Sequence, residues 1–347
     1  MRKSLDQMMV VTEDPLNAET PISALLGETT PSDLFYVRNH FDIPSIEKED
    51  WKLEFLAGAK SRLFTLDEIK SFPHQSHRVV LECAGNGRVN LDPPVQGTAW
   101  GLGAVSQAEF VGTSLRNILD TVDISANVTE VVFTGMDSGK LPSGKSTSYA
   151  RSLPLAKSVA PDVLLVWEMN GEQLPREHGF PLRLIVPRYY GMASVKWLKY
   201  IELAEQPFQG FFQSQEYVYT DVAGSPNGVP VTEIRARSIF TSHSDGELIT
   251  KGKHQISGLA WSGQGAVTEV GLSLDHGTTW RSADLSRAIS PNSWVRWQKE
   301  LNFHEAGEQS ILLRARDDSG AIQPLEQYWN QGGYGNNVVQ KLILGIK

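Results

Sequence analysis

The sequence predicts an α+β protein with two domains, a mixed α/β domain followed by a β-sandwich. Its 347 residues are enough for two domains of ordinary size. Strand and short-helix patterns interleave through the first half, which is typical of a mixed α/β layer structure. The Gly- and Pro-containing segment Val222–Pro230 has the composition of a linker, and strands with turn signals follow it. We therefore expect an extended lead-in at residues 1–32, a first domain at 33–224 and a second at 225–347.

In the first half, the apolar patterns predict short elements. Strands are expected at Tyr36–Arg38, Trp51–Phe55, Val79–Leu81, Glu130–Thr134 and Val163–Trp167. Helices are expected at Leu66–Phe72, after the N-cap residue Thr65, and at Thr113–Leu119, where the apolar residues fall on one face.

The second half is predicted to be all β. Val270–Leu274 alternates strictly and meets the hairpin-type turn Asp275–Gly277. Further strands are expected at Trp294–Trp297 and Ile311–Ala315, and no convincing helix occurs between residues 230 and 320. A region of about 110–120 residues with this pattern fits an immunoglobulin-like sandwich.

Composition and charge exclude several classes of protein. Hydrophobic residues make up 40% and charged residues 21%, which are globular values. The net charge of −8 argues against a nucleic-acid partner, and no apolar run approaches the 18 residues of a membrane span. The single cysteine excludes an internal disulfide and a multi-cysteine zinc or iron–sulfur site. It also fits a reducing compartment. Since no signal peptide is recognisable, we expect a cytoplasmic protein, or a periplasmic one if a signal peptide has been removed.

That cysteine lies in the most informative stretch, Val79–Arg88. The apolar strand delivers Cys83 to its end, and Ala84, Gly85 and Gly87 then form a tight turn where backbone can approach a ligand. A thiolate at a rigid strand end can be a soft metal ligand or a nucleophile, while a lone cysteine is more often a buried structural residue. The residues alone leave these three interpretations open.

Four motifs in order along the chain favour the first interpretation. Phe35–His40, Cys83–Arg88, His178–Arg183 and Ser194–Leu198 together resemble the sulfite oxidase family of molybdopterin-dependent oxidoreductases, which includes the eukaryotic nitrate reductases. The resemblance extends from about residue 33 to the C-terminus, and includes the family's β-sandwich dimerisation domain. It implies a molybdenum–molybdopterin cofactor with a Mo-oxo centre. We expect no haem, because nothing of domain size precedes residue 33.

The resemblance also implies residue roles. Cys83 corresponds to the cysteine that binds molybdenum, and the substrate side of the metal is expected to carry Arg38, Arg88, Trp100 and Tyr217. The expected cofactor contacts are Tyr36, Val37, Arg38, Asn39, His40, Asp137, His178, Arg183, Ser194, Val195 and Lys196. These types suit the ligand, since Arg and Lys can bind a pterin phosphate and Asp can accept from pterin amino groups.

Two positions depart from the family pattern. Gly332 stands where sulfite oxidases carry a further substrate arginine, which nitrate reductases also lack, and Gly87 stands in the cysteine motif where an arginine is usual. Both changes remove positive charge near the pocket, so we expect weakened sulfite binding. Gly332 is also expected to leave room for a larger substrate.

The sequence therefore predicts a haem-free oxidoreductase of the sulfite oxidase type. The expected reaction is oxygen-atom transfer on sulfite or a related small oxyanion or sulfur-containing substrate. Electrons would be exchanged with an external carrier such as a c-type cytochrome, and the assembly would be a homodimer. Three alternatives remain: a nitrate-reductase-like reductive activity, a cysteine-nucleophile enzyme with Cys83 activated by His77 or His178, and a binding module without catalysis.

Overall fold

The computed structural model describes residues 5–220, 222, 225 and 228–347. The other positions include four in the predicted linker, among them the predicted boundary at residue 224, so that boundary lies outside the described residues.

The first half consists of short strands and shorter helices, as the sequence pattern indicates. Its strands, in chain order, are β1 (Met9–Thr12), β2 (Asn17–Glu19), β3 (Leu53–Ala57), β4 (Lys60–Phe64), β5 (His74–Glu82), β6 (Val105–Ser114), β7 (Glu130–Lys140), β8 (Ser146–Pro154), β9 (Leu164–Met169), β10 (Glu172–Gln173), β11 (Arg183–Ile185), β12 (Leu198–Ala204), β13 (Val218–Tyr219) and β14 (Val229–Pro230). The α-helices are α1 (Leu66–Lys70), α2 (Leu115–Leu119) and α3 (Leu155–Ser158). Single 3₁₀ turns lie at Ile22–Leu26, Arg88–Asn90, Arg176–His178 and Gly191–Ala193, and a π-helical turn at Phe212–Glu216.

Two sheets position the helices and loops of this half. One follows the order β10-β9-β6-β5 with β11 on β9, and the other the order β4-β3-β12-β7-β8. The apolar residues between them form a continuous core that includes Phe55, Phe133 and Leu165. Burial of this core, rather than the intrinsic stability of helices of four or five residues, holds the short helices in place.

Helix α1 shows how local sequence sets a boundary. The Thr65 side chain accepts from the Glu68 backbone N–H, and the Glu68 carboxylate accepts from the Thr65 backbone N–H, which is a complete capping box. Leu66 and Ile69 pack into the core. The other predicted helix begins later than expected, at Leu115, because Thr113 and Ser114 still pair with Leu165 and Leu164 as the end of β6.

The second half is a β-sandwich, which confirms the predicted fold class. Its strands are β15 (Arg237–Phe240), β16 (Glu247–Ile249), β17 (Gly252–Trp261), β18 (Val267–Ser273), β19 (Arg281–Ser282), β20 (Asp284–Leu285), β21 (Val295–Phe303), β22 (Gly307–Asp317) and β23 (Gln340–Ile346). They form a four-stranded sheet, β15-β17-β21-β20, and a five-stranded sheet, β16-β23-β22-β18-β19. Alternating inward residues such as Leu272, Trp297 and Leu313 fill the space between the sheets.

The N-terminal segment is more ordered than an extended lead-in. Strands β1 and β2 pair as a hairpin, and Ala18 bridges to Val37, so that the predicted strand at Tyr36–Arg38 is a single bridge. Asn17 and Glu19 are buried although they are polar. Both side chains form hydrogen bonds to the first domain, which makes their burial possible. Composition shows only that these residues are polar, so it did not reveal this packing.

Within the described ranges, none of the helices is long and apolar enough to cross a membrane.

Candidate active site

Strand β5 delivers Cys83 to the centre of the molecule. Val79, Val80 and Leu81 are buried, with Val80 in the core between the sheets and Val79 and Leu81 in the apolar cluster that contains Cys83, and the strand ends at Glu82, one residue before the thiol. The following turn is closed by the Asn86 backbone N–H, which donates to the Cys83 carbonyl at 3.0 Å. The predicted strand and turn are therefore present, and the thiol is nearly inaccessible to solvent.

An inner cavity opens beside the thiol. It collects most of the cofactor contacts that the family resemblance implies. Its lining includes Tyr36, Arg38, Asn39, His40, Cys83, Asp137, His178, Arg183, Ser194 and Lys196. Residues separated by up to 160 positions in sequence thus surround one space.

A second space, the outer cleft, also borders Cys83. The four residues expected on the substrate side, Arg38, Arg88, Trp100 and Tyr217, all line it. Arg38, Cys83 and Tyr217 line both spaces, so the thiol lies where the inner cavity and the outer cleft meet.

Two cations on the inner cavity are tied to backbone carbonyls. Arg183 donates to the carbonyls of His178 at 2.9 Å and Ser194 at 3.0 Å. Lys196 Nζ donates to the Arg38 carbonyl at 3.1 Å and to the Asn39 side chain. Burial lowers the pKa of Arg183 to about 10, which leaves it charged at neutral pH. These bonds fix the walls of the cavity and concentrate positive charge there.

Asp137 contributes a buried carboxylate to the same cavity. Its Oδ1 atom has no hydrogen-bond partner among the residues that the structure describes. Burial raises the pKa of Asp137 to about 7, while the charge of Lys196 opposes this rise. An acceptor of this kind is costly to leave unsatisfied, and a ligand with amino or N–H donors would satisfy it.

Tyr217 and His40 form a neutral polar pair at the boundary of the two spaces. The Tyr217 hydroxyl lies 2.9 Å from His40 Nε2. Burial, with the nearby charges of Arg38 and Lys196, holds the pKa of His40 well below its usual value. Burial also raises the pKa of Tyr217 to about 12. Both groups are therefore uncharged at neutral pH, and the Tyr217 proton can be shared with His40.

The Cys83 thiol is electrostatically unsuited to act as a free nucleophile. Burial raises the pKa of Cys83, and the lowering effects of Arg38, the Gly85 backbone N–H and Arg88 do not reverse that. A catalytic thiol needs a lowered pKa. His77, one of its two suggested activators, instead lies 3.0 Å from the Gln75 side chain. A bound metal would displace the thiol proton, so metal ligation is compatible with this environment.

The space beside Gly332 is filled, contrary to the expectation that this glycine leaves room for a larger substrate. A Cβ atom at position 332 would lie 2.3 Å from the Tyr334 ring. Tyr334 packs on Tyr217 with ring centroids 5.1 Å apart, and its hydroxyl donates to Glu216 Oε1 at 3.1 Å. The absence of a side chain at position 332 therefore leaves space that the Tyr334 ring fills.

Not every expected contact faces a cavity. Val37 packs with Met8 and Ala18, and its backbone N–H and carbonyl are both used by Ala18. Val195 lies in the main core and donates its backbone N–H to Ala193. The structure does not bring Val37 and Val195 to the cavity.

Trp100 is both a core residue and a lining residue of the outer cleft. Its ring is fully buried in an apolar cluster with Cys83, while it also lines the outer cleft. The indole N–H has no acceptor in the described part of the chain.

Sequence reasoning missed several lining residues. Phe35, Tyr149, Gly191 and Met192 line the inner cavity, and Gln96, Thr98, Glu216 and Tyr334 line the outer cleft. Tyr149 and Met192 are joined by a 2.7 Å hydrogen bond from the Tyr149 hydroxyl to the Met192 carbonyl. Phe35 belongs to the motif Phe35–His40, although the resemblance implies no role for it, and no local motif marks the other seven positions, because they reach the site only through the pairing of distant segments.

The donor set fits a metal that arrives within a larger organic cofactor. Among the described residues, no group of three or more His, Cys, Asp or Glu side chains could hold a metal ion alone. Such a cofactor requires a soft ligand for the metal, an acceptor for ring amino groups and positive charge for phosphate. The site offers, in the same order, the Cys83 thiol, the Asp137 Oδ1 atom and the cations that line the cavity.

Comparisons with known proteins agree with this arrangement. Residues 40–212 match the family described as the oxidoreductase molybdopterin binding domain, and residues 229–345 match the Mo-co oxidoreductase dimerisation domain. Mitochondrial sulfite oxidase of Rattus norvegicus is 35% identical over 98% of this chain, and the chain spans 66% of that protein's length. Sulfite oxidase of Arabidopsis thaliana is 33% identical over 98% of this chain and 94% of its own length.

A solved structure covers nearly the whole chain. The sulfane dehydrogenase SoxCD from Paracoccus pantotrophus superimposes with a TM-score of 0.83 over 99% of this chain and 91% of the matched chain, at 27% identity. With the two matched domains and the sulfite oxidase relatives, this shows that the chain belongs to the sulfite oxidase family of molybdopterin-dependent oxidoreductases.

Proposed function

We propose that this enzyme oxidises sulfite or a related small sulfur-containing substrate and passes the electrons to an external carrier such as a c-type cytochrome. The observation that carries the proposal is the position of Cys83, with Arg38 and Tyr217, at the junction of the inner cavity and the outer cleft. A metal bound by the thiol would face a cofactor on one side and a substrate on the other.

On the cofactor side, we assign the inner cavity to the pterin. When bound, a molybdenum–pterin group would supply two-electron oxygen-atom transfer chemistry. The chain would contribute the Cys83 thiolate to the metal and the Asp137 carboxylate to the pterin amino groups. Arg183 and Lys196 would provide a positive field for the phosphate, in addition to the carbonyl contacts that they already make.

On the substrate side, the guanidinium groups of Arg38 and Arg88 would bind an oxyanion. Arg88 is held by the carbonyls of Thr98 at 2.9 Å and Gly332 at 2.8 Å, and its Nε has no partner among the described residues. That N–H is therefore available to an oxygen of the substrate, and charge-assisted bonds of this type are strong. Tyr217, which is neutral, can orient the substrate and hold a proton at its hydroxyl.

The proposal is tested by Cys83→Ser in the full chain. A neutral hydroxyl is a poor ligand for a soft metal, so we expect a folded protein that retains pterin and loses activity. Elemental analysis for molybdenum, fluorescence of the released pterin and circular dichroism separate loss of metal function from loss of fold. A Cys83→Ser protein with full activity would refute the assignment of Cys83.

A second candidate is a reductive activity on nitrate, favoured by the absence of an arginine at position 332. Wild-type protein assayed with sulfite, thiosulfate, sulfoxides and nitrate, using artificial electron carriers in both directions, distinguishes the two. Turnover of nitrate with a reduced carrier, without turnover of sulfite, would replace the oxidative proposal.

We further propose that the enzyme is a homodimer in a reducing compartment, the cytoplasm. The match of residues 229–345 to a dimerisation domain supports the first point, and the single free cysteine supports the second.

A further inference from the structure

A buried ion pair joins the second half of the chain to the strand that ends at Cys83. Glu82 is the last residue of β5 and Arg237 the first of β15, and both are almost fully buried. Arg237 Nη1 lies 3.0 Å from Glu82 Oε1, and the other carboxylate oxygen accepts from Trp261 Nε1 at 2.8 Å. A buried pair is often no more stabilising than apolar side chains of the same volume, so its place beside Cys83 needs another explanation.

The same half of the chain holds the Cys83 turn at four positions. Its hydrogen bonds to the turn are Gly335 N–H to the Ala84 carbonyl at 2.7 Å, Arg237 Nη1 to the Asn86 carbonyl at 3.0 Å, Asn336 Nδ2 to the Gly87 carbonyl at 2.9 Å, and Arg88 Nη2 to the Gly332 carbonyl at 2.8 Å. The turn that presents the thiol is therefore fixed from outside as well as by its own backbone.

Gly87 makes the approach of Arg237 possible. Its φ of +80° is a conformation that glycine adopts without strain. A Cβ atom at this position would lie 2.6 Å from Arg237 Nη2. A side chain at residue 87 would force the guanidinium of Arg237 to shift from its present position. At the position where the family motif usually has an arginine, this chain has Gly87, and the guanidinium of Arg237 from the other domain lies beside it.

We propose that Arg237 is a positioning residue for Cys83, and that the second half of the chain is part of the active-site scaffold as well as an assembly domain. Arg237 acts on the turn through Glu82 and the Asn86 carbonyl. Only the final step, from the turn to the metal, rests on the proposed ligand role of Cys83.

The position of the thiol can be measured without the cofactor, because Cys83 is the single cysteine of the chain. The probe is the rate of alkylation of Cys83 by iodoacetamide in the cofactor-free full chain. The variants are Arg237→Met, Arg237→Lys and the neutral pair Glu82→Gln with Arg237→Met. Arg314→Met is the matched control, since Arg314 lies on β22 with its guanidinium 3.9 Å from the centroid of the Trp280 ring.

We expect Arg237→Met to raise the alkylation rate at least tenfold, Arg237→Lys to raise it less, and Arg314→Met to leave it unchanged. The neutral pair should recover thermal stability relative to Arg237→Met, because no buried charge is left unpaired. Cys83 in the neutral pair should still be alkylated fast, because the Asn86 carbonyl no longer accepts a hydrogen bond from Arg237. In the cofactor-loaded enzyme, Arg237→Met should shift the Mo(V) electron paramagnetic resonance signal.

The inference is overturned if Arg237→Met alkylates within twofold of wild type, or if the neutral pair returns to the wild-type rate, since Arg237 would then act on stability alone. Should Arg237→Met fail to fold, an Arg237→Lys rate equal to that of wild type overturns it. Failure of the ligand assignment has a different signature: Cys83 in the loaded wild-type enzyme would be alkylated as fast as in the cofactor-free protein.

Discussion

At the scale of single residues, Tyr334 determines the shape of the outer cleft. Its ring lies over Gly332 and beside Tyr217, and the Arg88 guanidinium lies 5.4 Å from its centroid. The hydroxyl is anchored on Glu216. The Tyr334 ring therefore occupies the space that the first side-chain atoms of an arginine at position 332 would need. Among the described residues, the outer cleft presents the two guanidinium groups of Arg38 and Arg88.

This arrangement changes the simplest test of the missing arginine. Gly332→Arg alone should impair the enzyme, because its Cβ would collide with the Tyr334 ring. Gly332→Arg combined with Tyr334→Ala should increase kcat/KM for sulfite, since a charge-assisted hydrogen bond contributes about 1.5–3 kcal/mol. That corresponds to roughly one to two decades in affinity.

Steady-state kinetics at low sulfite check this expectation. Tyr334→Ala alone and the uncharged Gly332→Met with Tyr334→Ala are the controls. The explanation is wrong if wild-type protein already saturates at micromolar sulfite, or if the methionine variant gains as much as the arginine variant.

Asp137 predicts a pH dependence of the cofactor-free protein. Burial raises its pKa in the folded state from 3.8 to about 7. Well below pH 3.8 both folded and unfolded chains hold the proton, and between pH 3.8 and about 7 the unfolded chain has released it while the folded chain retains it. Stability should therefore fall across this window, and one pKa unit corresponds to about 1.4 kcal/mol.

Asp137→Asn should flatten that part of the profile, because the amide does not titrate. Urea unfolding of the cofactor-free full chain between pH 4 and 8 measures the effect, with the exposed Asp123→Asn as control. An unchanged slope in Asp137→Asn would show that this carboxyl is charged in the folded protein.

At the scale of elements, the β1–β2 hairpin supports the active site from the N-terminal side. Asn17 Oδ1 accepts from the Asn39 backbone N–H at 2.8 Å. The Glu19 carboxylate accepts from the backbone N–H groups of Gly101 and Gly103, and the Gly101 carbonyl in turn accepts from the Gly87 N–H. One hairpin thus holds both a cofactor-contact segment and the loop beside the Cys83 turn.

Glu19→Ala should destabilise the protein, because the buried Gly103 N–H loses its acceptor at a cost of about 1–3 kcal/mol, and the partly buried Gly101 N–H loses its acceptor at a smaller cost. Glu19→Gln, which keeps one acceptor oxygen, should lose less. Urea unfolding of the full chain measures both. If Glu19→Ala is as stable as wild type, the hairpin does not support this loop.

At the scale of the whole molecule, the sandwich domain is expected to pair two chains while it closes the outer cleft. Twofold homodimers are the commonest symmetric assemblies. Light scattering should therefore give twice the chain mass of 38.4 kDa at micromolar concentration. A monomer under these conditions would refute the pairing.

Truncation after Gly224 gives a second prediction at this scale. It would remove Arg237 and Trp261 and leave Glu82 as a buried carboxylate without those partners, which is strongly destabilising. We expect a monomer with an impaired site, measured by light scattering and by activity after reconstitution with cofactor. A fully active truncated protein would show that the second half has no role in the site.

The sequence by itself determined the α+β class, the sandwich and the segments that carry the chemistry. Alternation at Val270–Leu274, the cap at Thr65 and the apolar run before Cys83 are local patterns, and local backbone preferences act over a few residues. The residues Arg38, Cys83, His178 and Lys196 could be named because each lies in a contiguous motif, and Asp137 could be named because it follows the predicted strand Glu130–Thr134, although the structure extends that strand as β7 to Lys140.

Only the tertiary structure decided how these residues meet and what fills the space between them. The close approach of Arg237 to Gly87 involves residues 150 positions apart, and the contact of Gly101 with Glu19 spans 82. The inward placement of Val195 is likewise set by the pairing of distant segments rather than by its neighbours. Burial, and with it the pKa of Asp137 and of Cys83, depends on that packing, because desolvation is a property of the surrounding structure and not of the residue.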